Sequence, residues 1–152
     1  MEEGKLIYEV KTIVVKYKSD VEIDKAIYNT SAKLYNFLKS IYNKLDDDQE
    51  HFTLISLNNQ LNIVGYKVLF SGGQDNAQVD LKLIFRYALL LGARFIAVAH
   101  NHPNGSLEPS EADISLTKRI QEAGVLLDLP LIDHIIINNN GYISLADKGI
   151  IK

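Results

Sequence analysis

The chain has 152 residues, of which 47% are hydrophobic and 23% charged, and its formal net charge is −3; these values are typical of one soluble globular domain. It contains no cysteine, which excludes disulfides, thiolate nucleophiles and cysteine-ligated metals, so a metal site would need histidine and carboxylate. No apolar run approaches the roughly 18 residues of a membrane span, and the N-terminus lacks a signal-peptide pattern. The net negative charge differs from the positive charge that is usual in nucleic-acid-binding proteins. We expect a cytoplasmic protein.

The first part of the chain predicts a strand followed by a helix. Apolar and polar residues alternate over residues 6–17, which indicates a strand. Asn29-Thr30-Ser31 is typical of a helix start. An apolar stripe at helical spacing follows it: Leu34, Phe37, Leu38 and Ile41. The acidic run at residues 46–48 indicates a solvated turn.

The middle of the chain predicts a hairpin and a second helix. Strands over residues 51–57 and 62–70 flank an Asn-rich turn, and residues 71–73 predict a loop. Asp80 can cap the next helix, and Gly92 is placed to end it. The apolar positions of this helix are Leu83, Ile84, Tyr87, Ala88 and Leu91.

The last part predicts a buried strand, a polar loop, a helix and another hairpin. Residues 94–99 are almost wholly apolar, as in a central strand, and residues 100–109 are polar. A helix is expected from Ser110 to about Ala123. Strands at residues 135–138 and 142–145 flank an Asn-Asn-Gly turn. The alternation of strands and helices predicts an α/β fold with a mixed central sheet flanked by helices.

Two histidines and an aspartate surround the polar loop. His100 and His102 point to the same side in extended backbone, and Asp113 falls in the first turn of a helix, where its carboxylate can reach back. This three-ligand set suits a catalytic zinc with water in the fourth position. Each half has an ordinary alternative, because two nearby histidines occur by chance and residues 110–113 fit a capping box. Together they favour one zinc ion, since histidines ending an apolar strand are costly unless paired or ligated.

This pattern resembles that of the JAMM (also MPN-plus or JAB) metallopeptidases, which carry H-x-H, then ten residues, then Asp, with Ser three before that Asp. The RadC-like branch adds Asn between the histidines and Pro-Ser-Gly after them; here Asn104 replaces that Ser. Its Asp-His-Ile and Tyr-x-Ser segments match residues 133–135 and 142–144. The resemblance spans roughly residues 50–151. It implies a three-layer sandwich similar to the cytidine deaminases, within a single domain over residues 1–152 whose residues 1–49 form a strand and a helix before the motif-bearing core.

The resemblance also implies roles for single residues. The family glutamate that acts on the metal-bound water matches Glu50, although on the residues alone a solvated strand-end carboxylate is the more ordinary interpretation. Ser110 would help to hold the developing oxyanion, or would only cap its helix. His134 would support the metal site or be a buried structural histidine. Asp133 would orient its loop.

The implied function is a zinc-dependent hydrolysis of peptide or isopeptide bonds, with a peptide or protein as substrate. The alternative is a non-catalytic RadC-like accessory protein linked to DNA repair or mobile-element DNA processing. A metal-dependent phosphodiesterase would usually need more carboxylates or a second metal. The motifs of zincins, serine hydrolases and cytidine deaminases are missing from the sequence.

The resemblance also leads to expectations about binding partners. Longer family members carry a helix-hairpin-helix DNA-binding region before this domain, whereas the segment before Glu50 indicates a strand and a helix. We therefore expect a short form that does not bind nucleic acid by itself. The strand at residues 6–17 could pair at an edge with a second copy, which would give a homodimer.

Overall fold

The computed structural model describes residues 26–72, 79–103 and 105–152. The elements in these ranges are, in chain order, α1 (Ser31–Tyr42), β1 (Glu50–Leu57), β2 (Ile63–Gly72), α2 (Leu81–Leu90), β3 (Phe95–Asn101), α3 (Glu111–Leu126), β4 (Leu131–Asn138) and β5 (Gly141–Ser144). The predicted strand at residues 6–17 and the family departure at Asn104 lie outside the described residues.

The strands form one mixed sheet in the order β2-β1-β3-β4-β5. β3 and β4 are parallel, because α3 connects them as a crossover helix. The other neighbouring pairs are antiparallel. The predicted α/β fold with a mixed central sheet is confirmed.

Helices cover both faces of this sheet. Successive side chains of β1, β3 and β4 point to opposite faces of the sheet, so they separate into two buried clusters. One cluster packs under α1 and contains Leu34, Phe37, Leu38, Ile55, Ala97, Ala99 and Ile135. The other packs under α2 and α3 and contains Phe52, Leu54, Ile84, Val98, Ile120 and Ile136. The predicted three-layer arrangement follows from these two clusters.

The helix ends agree with the predicted signals. Thr30, Asp80 and Ser110 are N-caps whose side chains accept a hydrogen bond from a backbone N–H of the first turn. Gly92 follows the C-cap of α2 with φ +63°, a left-handed conformation that glycine adopts without strain. None of the described helices is long and apolar enough to cross a bilayer.

Three predicted strand boundaries were wrong by two residues or more, and strand pairing explains each. Ser71 and Gly72 were assigned to a loop, but they pair with His51 and Glu50 at the end of β2. β3 continues through His100 to Asn101 because β4 offers ladder partners up to Ile137. β4 begins at Leu131, so that His134 lies within the strand rather than at its start. In each case one neighbouring strand supplies pairing partners beyond the predicted end, which local sequence does not show.

Candidate metal centre

The polar side chains of three strands meet beneath the N-terminus of α3. Every second residue of a strand points to the same face. His100 therefore lies on the face of Ile96 and Val98. His134 lies on the same face with Ile136, and α3 covers that face. His102 follows β3, and its backbone N–H still pairs with the carbonyl of Ile137 at 3.0 Å. The register of the β3–β4 ladder therefore continues past the end of β3 and holds His102 beside His100.

The structure brings His100, His102 and Asp113 together. The Nε2 atoms of His100 and His102 lie 2.9 Å apart. Asp113 Oδ1 lies 3.2 Å from His100 Nε2, and Asp113 Oδ2 lies 3.2 Å from His102 Nε2. Tetrahedral zinc with bonds of about 2.0–2.1 Å sets its ligand atoms roughly 3.3 Å apart. These three residues could hold one metal ion.

Asp113 is aimed at the histidines by the start of its helix. Ser110 Oγ accepts a hydrogen bond from the Asp113 backbone at 3.1 Å, and Asp113 Oδ2 accepts one from the Ser110 backbone at 2.8 Å. This reciprocal capping box fixes the carboxylate over β3. Burial would raise the pKa of Asp113, but hydrogen bonds with His100 and His102 outweigh it and hold that pKa below its usual range. Capping and ligation, the two interpretations of residues 110–113, are thus compatible.

Hydrogen bonds assign the tautomer of His100 through a buried relay. Thr117 Oγ1 donates its one proton to the Asp113 carbonyl at 2.6 Å, so it accepts from Nδ1–H of His134 at 2.7 Å. His134 Nε2 then carries a lone pair and accepts from Nδ1–H of His100 at 2.8 Å. In a neutral His100 ring the lone pair therefore lies on Nε2, the atom that faces Asp113. Burial holds the pKa of His134 well below its usual value, in keeping with a neutral ring.

His102 has the same tautomer for a simpler reason. Its Nδ1–H donates to the carbonyl of Ser106 at 2.6 Å, which in the neutral ring leaves a lone pair on Nε2. The lone pairs of His100 and His102 consequently face each other across 2.9 Å, an arrangement that needs a cation or a proton between them. The pKa of His102 is raised, chiefly by its hydrogen bond with Asp113. The donor set therefore fits zinc. A proton on His102 would compete with the metal for the Nε2 atom.

Glu50 lies beside this centre and is half-buried. It is the first residue of β1. Phe52 pairs with His100 in the antiparallel β1–β3 ladder, so the same register two residues further places Glu50 opposite His102. Burial raises the pKa of Glu50, the nearby His100 ring lowers it, and the Asp113 carboxylate raises it again. Within the described part of the chain the Glu50 carboxylate makes no hydrogen bond, so it can accept a proton from a bound molecule.

Asn101 fixes the backbone on both sides of Glu50. Its side chain points to the sheet face opposite His100, where Oδ1 accepts from the His51 backbone N–H at 2.6 Å. Its Nδ2 donates to the Gln49 carbonyl at 2.8 Å. Asn101 is 7% exposed, so these bonds are shielded from water. The residue between the two histidines thus locks the start of β1 against the end of β3.

A cleft of about 510 Å³ opens beside the centre. Glu50, His100 and Asp113 line one part of it, and the side chains of Phe52, Phe70, Val79 and Leu116 line another. This combination of an apolar wall with a few converging polar groups is typical of ligand sites. The exposed run at residues 46–48 also brings carboxylates together, but it is a solvated turn, as predicted.

His134 and Asp133 have different surroundings. His134 is completely buried and its Nε2 lies 2.8 Å from His100 Nδ1, so it is a buried structural histidine that orients the His100 ring. Asp133 points to the other side of β4, where it accepts from Ser144 Oγ at 2.7 Å, from the His134 backbone at 2.7 Å and from the Ala146 backbone at 3.1 Å. It anchors the turn after β5 rather than the metal centre.

Sequence reasoning missed Asn101 and Thr117. Asn101 was noted only as part of the motif. Because successive side chains of a strand point to opposite faces, its position between His100 and His102 indicates that it lies on the other face of the sheet. Thr117 lies four residues after Asp113 on the same helix face, a spacing that would have indicated a shared site.

A family model described as "RadC-like JAB domain" matches residues 28–150. This match includes α1, which the resemblance at residues 50–151 had left outside. A UPF0758 protein of Psychrobacter sp. (strain PRwf-1) is 45% identical over 103 residues, which are 68% of this chain and 46% of that protein. A UPF0758 protein of Flavobacterium johnsoniae is 41% identical over 66% of this chain and 44% of its own length. A UPF0758 protein of Clostridium beijerinckii is 36% identical over 90% of this chain and 59% of its own length. The chain therefore spans about half the length of the curated relatives it matches.

Proposed function

The chain belongs to the RadC-like JAB domain family, and from that premise we propose that it is a Zn²⁺-dependent hydrolase of peptide or isopeptide bonds. One observation carries the proposal: the Nε2 atoms of two histidines and the carboxylate of Asp113 converge beside the half-buried Glu50. In this proposal the substrate is a peptide or protein, and the protein works in the cytoplasm.

Each residue has a task that its position supports. When bound, zinc would polarise the scissile carbonyl and lower the pKa of water. The Glu50 carboxylate takes a proton from the attacking water and returns it to the leaving amine. Its raised pKa favours this exchange, because a carboxyl group with a pKa nearer neutrality both accepts and releases a proton readily.

Ser110 and His134 have supporting tasks. Ser110 Oγ uses a lone pair in the capping box, so its hydroxyl proton remains available to a developing oxyanion. His134 holds His100 in the tautomer that presents Nε2, as the outer partners of metal-bound histidines commonly do. The apolar side chains of the cleft lower the amount of water around the reacting bond.

The alternative of a non-catalytic accessory protein linked to DNA has no specific observation in its favour among the described residues. The relatives' printed names state no activity. Because the chain covers about half of those relatives, the activity and partners of a whole protein of this kind are part of the proposal.

The experiment combines zinc analysis with a screen of peptide and isopeptide substrates. We expect the wild-type protein to bind one zinc ion per chain and to cleave at least one substrate class. Glu50→Gln keeps zinc but lowers turnover by about 10²–10⁴-fold, the usual contribution of a general base. Asp48→Asn is the matched control, because this nearby exposed carboxylate lies outside the cleft. Normal turnover by Glu50→Gln would show that another group carries the proton, and loss of zinc would make Glu50 a ligand.

A further inference from the structure

One side of α3 forms a wall of the metal-centre cleft. Besides Asp113, the residues of α3 that line it lie at positions i, i+3, i+4 and i+7 of the helix, and they are Ala112, Ser115, Leu116 and Arg119. The first three side chains are small or apolar. Arg119 closes the stripe two turns from the metal centre, with a long side chain and a positive charge.

Arg119 is the only cationic side chain among the described residues that line this cleft. It is exposed, and within the described ranges its guanidinium makes no ion pair or hydrogen bond. The cleft therefore has two carboxylates and His100 at one end, apolar side chains between, and at the other end a guanidinium that has no partner among the described residues. A guanidinium offers a planar fork of donors that matches a carboxylate with two parallel hydrogen bonds.

The surroundings of Arg119 determine on which side it can receive an anion. Arg119 also lines a neighbouring hollow, where the other charged lining residues are Glu111, Lys118 and Glu122. The two carboxylates there offset the positive charges of Lys118 and Arg119, so the described lining of the hollow carries no net positive charge. Between Arg119 and the metal centre, the described residues that line the cleft are uncharged. A carboxylate is thus favoured inside the cleft.

The spacing sets the position of that carboxylate relative to the reacting bond. Arg119 lies six residues after Asp113, which is about 9 Å along the helix axis at 1.5 Å per residue. An extended peptide advances roughly 3.3 Å per residue. A peptide laid along α3 therefore reaches Arg119 about two or three residues away from the scissile bond.

We propose that Arg119 is a substrate-binding subsite for a carboxylate, and that the substrates of the metal centre are peptides with a carboxylate two or three residues from the cleaved bond. This carboxylate is the side chain of Asp or Glu, or the C-terminus of the peptide. The proposal rests on the proposed hydrolase function for the bond that is cleaved. The subsite itself rests on the cleft and on Arg119.

The test compares acetylated five-residue alanine peptides that differ only in charge. One has a C-terminal amide, one has a free C-terminus, and amidated versions carry a single Glu or a single Gln at each position in turn. Binding is measured by calorimetry on zinc-loaded Glu50→Gln protein, so that the peptide is not consumed. Turnover is measured by mass spectrometry on protein with Glu50 intact. Both are repeated with Arg119→Ala, with Arg119→Lys, and with Lys118→Ala as a matched control outside the cleft.

The best carboxylate peptide should bind about tenfold or more tightly than its neutral counterpart, as expected for hydrogen bonds to a charged group. Arg119→Ala should abolish this preference, Arg119→Lys should retain part of it, and Lys118→Ala should leave it intact. The arm that shows the preference identifies the carboxylate as a side chain or a C-terminus. A preference that is absent, or that survives in Arg119→Ala, overturns the subsite.

The same experiment separates this proposal from the proposed function. If no peptide is cleaved but the preference depends on Arg119, the subsite stands and the hydrolase proposal fails. If neutral and acidic peptides are cleaved equally well, and Arg119→Ala changes neither, the hydrolase stands and the subsite fails.

Discussion

Asn101 Oδ1 accepts a hydrogen bond from the backbone N–H of His51 at 2.6 Å, across the two strands that carry Glu50 and the histidines. The Nδ2 group of the same side chain holds the Gln49 carbonyl at 2.8 Å. The two backbone partners assign the orientation of the amide, because one is a donor and the other an acceptor. Glu50 lies between them. Asn101 therefore positions Glu50 relative to His100 and His102, although it belongs neither to the candidate ligands nor to the described lining of the cleft.

Replacing Asn101 should lower turnover without releasing zinc. Asn101→Ala removes both bonds, and we expect a 10- to 100-fold loss of turnover, because small displacements of a reacting group are costly. Asn101→Asp keeps the acceptor for His51 but sets an oxygen against the Gln49 carbonyl, so it should be nearly as inactive. The measurement is turnover together with zinc content.

A double-mutant cycle tests whether Asn101 acts through Glu50. If it does, Asn101→Ala has little further effect on turnover once Glu50→Gln is present. Equal losses in both backgrounds would contradict a positioning role and would indicate a general loss of structure.

His134 should tune zinc affinity from its buried position. His134→Leu keeps much of the volume but removes the acceptor for His100 Nδ1–H, and we expect zinc affinity to fall about 10- to 100-fold. His134→Gln can still accept this bond and should lose less. Competition with a chelator measures the affinity. His51→Leu is the control, because His51 is buried on the opposite face; an equal loss there would show that general destabilisation is the cause.

The pH dependence of stability provides a separate test of the neutral His134 ring. Burial holds its folded-state pKa well below 6.5, so below about pH 6.5 the unfolded chain binds a proton that the folded chain does not. The free energy of unfolding of the metal-free protein should fall accordingly as pH drops from 7 to 5. The raised pKa of His102 acts in the opposite direction, so the informative quantity is the difference between the wild type and His134→Gln. Urea unfolding at each pH should give a smaller acid loss for His134→Gln; an unchanged slope would contradict a neutral ring.

The sequence was enough to predict the fold class and the meeting of the three candidate ligands. Both predictions depend on local rules: the period of a strand sets His100 and His102 on one side, and the capped start of α3 turns Asp113 back. The support of the site could not be predicted in this way. The contact between His100 and His134 depends on the register between β3 and β4, and the contact between Asn101 and His51 depends on that between β3 and β1. Registers are set by the packing of the whole sheet, so residues 34 and 50 positions apart in sequence gave no local signal.

The chain by itself should not bind duplex DNA tightly. Its net charge of −3 opposes the phosphate contacts that supply most non-specific affinity. We expect no binding below micromolar concentrations at physiological salt in a fluorescence anisotropy assay with zinc-loaded protein. Nanomolar affinity with a steep salt dependence would contradict this prediction and would favour the accessory function linked to DNA.

Asp113 has two tasks that substitutions can separate. As a candidate ligand it needs its charge, whereas as half of the capping box it needs only an acceptor for the Ser110 backbone at 2.8 Å. Asp113→Asn keeps an acceptor and loses the charge, and Asp113→Ala loses both. Without metal, Asp113→Ala should therefore be less stable than Asp113→Asn by about 1 kcal/mol, the typical contribution of a helix cap.

Added zinc should stabilise the wild type but neither of the two Asp113 variants. A metal at 100 times its Kd stabilises the folded state by about 2.7 kcal/mol, and this gain should be present in the wild type and missing from both Asp113 variants. Ser110→Ala is the complementary variant, because it removes the other half of the box and leaves the ligand charge; it should lose cap stability yet keep the zinc-dependent gain. Urea unfolding with and without zinc measures all four proteins. A full zinc gain in Asp113→Asn would exclude Asp113 as a ligand, and equal metal-free stability of Asp113→Asn and Asp113→Ala would mean that the carboxylate contributes nothing as a cap.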